Sequence, residues 1–151
     1  MRGQKLGVLV RGITANVNFF ISSKVEKHGI KQGQYEYFLQ IFSSPGINQL
    51  ELGRLQNVGK ASVTKALKIL EDDGFVRRET DENDRRNTLC YITDKGEIIV
   101  DDLMDVKIKA EEVLFKGFKN EDVEIFYKYL MLLNQNSKAL VVGIDSMIEK
   151  S

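Results

Sequence analysis

Lys60-Ala61-Ser62-Val63-Thr64-Lys65-Ala66-Leu67-Lys68-Ile69-Leu70-Glu71-Asp72-Asp73-Gly74 is the stretch on which the reading of this chain turns. From Ser62 to Asp73, the apolar residues Val63, Ala66, Leu67 and Leu70 fall three and four apart. That spacing gathers side chains on one face of an α-helix. The other face holds Lys60, Thr64, Lys65 and Lys68, with no acid between Lys60 and Lys68. Gly74 closes the helix as a left-handed cap. Beyond it the period changes from 3.6 to 2. Phe75-Val76-Arg77-Arg78-Glu79-Thr80 predicts one strand and Thr88-Leu89-Cys90-Tyr91-Ile92 another. Asp81-Glu82-Asn83-Asp84-Arg85-Arg86-Asn87 joins them as the tip of a hairpin.

Working upstream, Leu50, Leu52 and Leu55 predict a short helix from Asn48 to Gln56, and Asn57-Val58-Gly59 is a tight break. A short helix, a turn, a helix with a polar outer face and then a basic hairpin is the order of a winged helix-turn-helix. The residue types suit double-stranded DNA. Lys60, Lys65 and Lys68 are candidate phosphate contacts, and Ser62 and Thr64 are short enough to reach base edges in a major groove. Arg85 and Arg86 at the tip would project cations towards the adjacent minor groove, whose negative potential attracts arginine. Asp84 would be repelled by phosphates and is assigned to shaping the tip, through Arg86 or backbone amides. The plainer alternative is that the lysines form a solvated helix face; the arginine-bearing wing behind them favours the DNA reading.

The flanks read as helices. Leu6, Val10, Ile13, Val17 and Phe20 predict a long amphipathic helix ending near His28-Gly29. Gln34 to Ser43 is a second helix, stopped by Ser44-Pro45-Gly46. Thr93 is placed to cap a helix running through Asp94-Lys95-Gly96 and past Val106. Phe126, Leu130, Leu133, Ser137, Leu140 and Ile144 stripe a last helix from Asn120 to Lys150. The terminal stripes are too long for the small central unit to cover, which predicts a two-fold dimer. The aromatic group around Phe19, Phe20, Tyr35, Tyr37, Phe38 and Phe42 is primarily core; Phe20, Tyr37 and Phe38 are candidates to line a pocket for a small-molecule effector.

The chain has 151 residues, with 22 Lys and Arg balanced by 22 Asp and Glu. A bulk-basic nucleic-acid binder is excluded and a locally basic one is not, because opposed patches can average to neutrality. Residues 1–31 carry Arg2, Lys5, Arg11, Lys24, Lys27 and Lys31 against Glu26 alone. One cysteine, Cys90, forms no internal disulfide and suits a reducing, cytoplasmic setting. It alternates with Ile92 and is expected to be buried. One histidine, His28, leaves no Cys/His zinc site and no catalytic relay. The phosphate-loop, dinucleotide and nucleophile-elbow spacings are absent. The acids Asp101, Asp102, Asp105, Glu111 and Glu112 face away from Val100, Leu103 and Val106, and are read as solvated surface rather than a cation site. No apolar run reads as a membrane span. The expectation is no enzyme, no cofactor, no metal and no membrane partner.

Ser62 to Glu71, Gly74-Phe75-Val76-Arg77-Arg78, and above all Asp81 to Asn87 running into Tyr91-Ile92-Thr93-Asp94-Lys95-Gly96 resemble the MarR family of winged-helix transcriptional regulators. The wing follows that family's Asp-x-x-Asp-x-Arg tip, then a strand and a Thr-x-x-Gly helix start. The resemblance implies a mainly α (α+β) fold with a two-stranded wing. It also implies a DNA-binding unit over 33–96 and a homodimer built from helices in 1–32 and 97–151. A pseudo-palindromic operator is implied too, with a repressor role and, often, release by a small molecule or oxidant. By its place in the signature Arg86 ranks above Arg85. Asn83 and Lys68 depart from the residues usual at those positions, and no cysteine lies near the start of the first helix, where redox-sensing members carry one. The alternative function is a winged helix used as a protein-interaction module without its own operator.

Overall fold

The computed structural model describes the backbone of residues 2–149 and the side chains of 5–143. Met1, Lys150 and Ser151 lie outside the described residues, as do the side chains of Arg2 and of Ile144, the last member of the terminal stripe. The order is α1 (Arg2–Val25), α2 (Gln32–Ser43), β1 (Ile47–Asn48), α3 (Gln49–Leu55), α4 (Lys60–Asp72), β2 (Val76–Thr80), β3 (Thr88–Ile92), α5 (Asp94–Glu97), α6 (Val100–Leu114) and α7 (Asn120–Glu149). It is a winged-helix fold. The chain divides into two compact units, residues 1–110 and 111–151.

In the first unit the core is the apolar faces of α2, α3 and α4 closed by the sheet. Phe38, Ile41, Leu52, Leu67, Leu70, Cys90 and Leu103 are fully or almost fully buried. Phe38 meets Phe75 edge to face, with ring centroids 6.3 Å apart, a favoured aromatic geometry. Tyr35 reaches across to donate its hydroxyl hydrogen to the Leu103 carbonyl at 3.0 Å, tying α2 to α6.

The expected two-stranded wing is present as β2 and β3, and a short third strand, β1, extends the sheet. The sheet has three antiparallel strands in the order β1-β3-β2. Val76 pairs with Ile92 and Thr80 with Thr88, while Ile47 pairs with Cys90 and Asn48 with Leu89. Gly46, at φ 82°, turns the chain after Pro45 and donates its N–H to the Cys90 carbonyl at 2.9 Å. Two residues of strand are too few to show alternation, so β1 leaves no periodic signal.

Four boundaries also differ. α1 ends at Val25 and a short 3-10 turn carries the chain to Gly29, at φ 86°. α2 begins at Gln32 rather than Gln34. α4 begins at Lys60 because Gly59 is extended and serves as the N-cap. The helix expected to run unbroken from Thr93 past Val106 is two helices. Thr93 does cap α5, accepting the Gly96 N–H at 3.2 Å, but Ile98 and Ile99 then form a turn in which Ile99 N–H bonds the Gly96 carbonyl.

In the second unit, 111–151, an aromatic knot turns the chain from α6 into α7. Phe115 packs on Phe118, Phe126 and Tyr127 with centroids between 5.4 and 5.8 Å, and Gly117 takes φ 91°. None of residues 111–143 is buried in the single chain. By length and composition alone, Lys5–His28 is long and apolar enough to cross a membrane. That corrects the reading that no run approaches a span: between Lys5 and Lys24 the one charged residue is Arg11, too little among Val, Leu, Ile and Phe to lower the average.

Candidate nucleic-acid interface

The turn between α3 and α4 sets how the second helix is presented. Asn57 carries the positive φ, 56°, rather than Gly59 at −76°. Val58 N–H bonds the Gly53 carbonyl and Asn57 N–H the Arg54 carbonyl, the paired bonds of a Schellman cap with asparagine in the left-handed position. Gly53 has no room for a side chain, since a Cβ there would stand 2.9 Å from the Val63 methyl. The two helices cross closely for that reason.

α4 ends in the same way. Phe75 N–H bonds the Leu70 carbonyl and Gly74 N–H the Glu71 carbonyl, with Gly74 at φ 82°. Thr93 donates its hydroxyl to the Gly74 carbonyl at 2.6 Å, and Lys95 reaches the Asp73 carbonyl at 2.6 Å, its Nζ 4.5 Å from the Phe75 ring centre. A cation on the last carbonyls of a helix is favourable. These bonds fasten the far end of α4 to the end of the wing. Gly96 completes the joint: a Cβ there would meet the Ile92 methyl at 2.6 Å and the Phe75 carbonyl at 2.7 Å.

Held at both ends, α4 buries Val63, Ala66, Leu67 and Leu70 and leaves Lys60, Ser62, Thr64, Lys65 and Lys68 exposed. They are not equivalent. Lys60, Ser62 and Lys65 engage no partner through their side chains among the described residues. Lys68 is paired with Asp72 one turn on, at 3.1 Å. The Thr64 hydroxyl donates to the Lys60 carbonyl at 2.9 Å and accepts from the Gln49 carboxamide at 2.9 Å. Sequence reasoning missed Gln49.

At the wing, Asp81 N–H bonds the Asn87 carbonyl at 3.0 Å and Asn87 N–H the Asp84 carbonyl at 2.9 Å. The Asp84 carboxylate accepts from Arg86 three times: Nε at 3.0 Å, Nη2 at 3.2 Å and the backbone N–H at 3.2 Å. The Arg86 guanidinium, and then its amide, hold the Asp84 carboxyl below the ordinary aspartate range. Arg85 is exposed and engages no partner through its side chain among the described residues. At the wing's base, Arg78 forks onto Glu71 of α4. On the sheet's outer face Arg77 pairs with Glu79 and lies over the Tyr91 ring, 4.3 Å from its centre.

The candidate pocket residues are dispersed in burial. Phe38 is fully buried and belongs to the core, Tyr37 is buried, and Phe20 is half-buried with Lys24 over its ring. Among the described residues no three His, Cys, Asp or Glu side chains gather as a metal site.

A capped helix-turn-helix followed by a hairpin with a cationic tip defines a winged-helix DNA-binding protein. A profile of the MarR family matches residues 30–88. The uncharacterized HTH-type transcriptional regulator YybA of Bacillus subtilis is 26% identical over 133 residues, covering 88% of this chain and 86% of its own. A MarR transcriptional regulator from Methanosarcina mazei Go1 superposes with a TM-score of 0.77 at 26% identity, over 91% of this chain and 99% of that one. A MarR-family regulator from Listeria monocytogenes, solved in complex with 26mer DNA, shares the fold at 22% identity, with a TM-score of 0.75 over 88% of this chain and 86% of that one. Residues 30–88 thus match the MarR family, and the relatives that align over most of the chain are HTH-type transcriptional regulators. By its fold and these relatives the protein is a DNA-binding transcriptional regulator, not an enzyme.

Proposed function

We propose that the protein is a cytoplasmic repressor that binds a pseudo-palindromic operator as a homodimer and is released by a small molecule. The observation that carries the DNA contact is the unpartnered cationic face: among the described residues, Lys60 and Lys65 on α4 and Arg85 on the wing have no side-chain partner that DNA would have to displace. In this reading residues 33–96 form the binding unit, with α4 in the major groove. Ser62 and Thr64 read base edges, the lysines hold phosphates, and the wing lies in the flanking minor groove. The pairing of Asp84 with Arg86 supports a shaping role for Asp84 and makes Arg85 the freer cation.

Residues from 1–32 and 97–151 pair the two copies. Leu6, Val10 and Ile13 of α1 and Phe126, Leu130, Leu133 and Leu140 of α7 are exposed in the single chain, a surface that water does not favour leaving open. The same argument supports reading α1 as a dimer helix rather than a membrane span, since a partner would cover the apolar residues between Arg11 and Lys24. For the effector, Phe20 and Tyr37 are the candidates and Phe38 would act from the core behind them. A ligand there acts only through unequal affinity for the DNA-competent and incompetent states, about 1–3 kcal/mol giving a 5- to 150-fold change in operator affinity. Selection of bound fragments from random DNA, followed by a screen for compounds that release them, tests the reading. A protein that enriches no DNA would be an interaction module instead.

A further inference from the structure

Thr64 lies in the second turn of α4, and its hydroxyl is engaged on two sides. It donates its hydrogen to the Lys60 carbonyl at 2.9 Å and accepts the Gln49 amide at 2.9 Å. A hydroxyl has one hydrogen and two lone pairs, so one lone pair remains and no hydrogen. Bonding back to the carbonyl four residues earlier is one of two rotamers open to a helical threonine. The Gln49 amide meets the oxygen in that rotamer and favours it. Gln49 is itself held in place: it is the first residue of α3, directly after Asn48, which pairs with Leu89 of β3 and caps the helix by accepting the Glu51 N–H at 2.7 Å. The sheet therefore fixes the root of the glutamine, and the glutamine fixes the threonine.

We propose that Gln49 is a positioning residue for base reading. By holding the Thr64 hydroxyl between α3 and α4, it leaves the threonine methyl as the group offered to the groove. Thr64 then selects thymine through apolar contact with the base's 5-methyl group, and not a purine through a donated hydrogen bond. The inference rests on α4 being the helix that enters the major groove.

Competition binding with operators varied one base pair at a time separates the roles of hydroxyl and methyl. Thr64→Val keeps a methyl and should retain the thymine preference. Thr64→Ser removes it and should lose the preference by about three- to fivefold, the size of one apolar methyl contact. Gln49→Met, close in length but without the amide, should broaden the preference at the same base pair in each half-site, and should add no further change to Thr64→Val. Both side chains lie outside the buried core, so the variants should keep the wild-type circular dichroism and melting. An unchanged base profile for Gln49→Met, or a preference lost with valine and kept with serine, overturns the proposal. Lys65→Ala tests the placement of α4 separately. If it leaves affinity and salt dependence unchanged, α4 does not lie on DNA and the underlying reading fails first.

Discussion

Arg78 of β2 grips Glu71 of α4 with both prongs of its guanidinium, Nε at 3.1 Å and Nη2 at 3.0 Å from the two carboxylate oxygens. The fork spans the cap that ends α4, so it fixes the angle between the helix and the wing. Bidentate geometry is the arrangement in which a partly exposed pair contributes most. The Arg78 hydrogen bond holds the Glu71 carboxyl below its ordinary value of 4.5. A depressed carboxylate stabilises the fold fully above that ordinary value, and the contribution disappears as pH falls through the lower folded value. Glu71→Gln should therefore cost about 0.5–1 kcal/mol at neutral pH and make stability less sensitive to acid below pH 4.5. Urea unfolding at pH 7 and pH 4 compares the two. An equal loss at both would show that the charge is not what matters.

Gly96 makes a sharper stability prediction. Its Cβ position is occupied on two sides, by the Ile92 methyl at 2.6 Å and the Phe75 carbonyl at 2.7 Å. The carbonyl is backbone and cannot swing aside. Gly96→Ala should cost about 1–3 kcal/mol by overpacking, seen as a lower melting temperature. Gly33→Ala, with nothing within 4 Å, should be neutral or slightly stabilising. Equal melting for the two variants would refute the crowding argument.

What the sequence made legible is local. Thr93 and Gly96 stand three residues apart, and the cap that joins them is a short-range motif. Gly74 sits at the end of a strong helical period, so its left-handed turn could be anticipated. The wing tip was readable for the same reason, since Asp84 and Arg86 are two residues apart. Contacts made by the fold left no such trace. Gln49 meets Thr64 across 15 positions, and Arg78 meets Glu71 across 7, with a cap between them that no helical spacing anticipates. At Asn57-Val58-Gly59 the sequence marks a tight break without showing which residue turns it, and the Schellman bonds put the positive φ on the asparagine.

The wing arginines should behave differently. Arg85 has no side-chain partner among the described residues and can act as a cation, whereas Arg86 is committed to Asp84. Arg85→Ala should lower the slope of log affinity against log salt by about one, and Arg85→Lys should restore it. Arg86→Lys keeps the charge but loses the planar fork, so it should weaken binding nearly as much as Arg86→Ala. This reverses the ranking that the family signature suggests. Salt titrations of the four variants on one operator decide it. A lysine that rescues Arg86 would leave Asp84 without a shaping role.

Cys90 is fully buried, and burial pushes its thiol up to about 11. At pH 8 the thiolate needed for attack or oxidation is scarce. Native protein should resist thiol reagents that label the urea-unfolded chain at once, and mild peroxide should leave operator affinity unchanged. The raised value also works against the fold in alkali: the stability it supplies is present below pH 9 and lost as pH rises towards 11. Rapid labelling of the folded protein at pH 8 would reopen a redox role.

The proposed assembly is a two-fold dimer whose paired α4 helices would enter successive major grooves. Selection from random DNA, with the stoichiometry of the selected complex measured at micromolar protein, tests that directly. The predicted result is an inverted repeat with half-site centres about 10 base pairs, roughly 34 Å, apart. It should be bound by two chains, with affinity falling steeply as salt rises. Enrichment of a single half-site bound by one chain, or of no sequence at all, would contradict it.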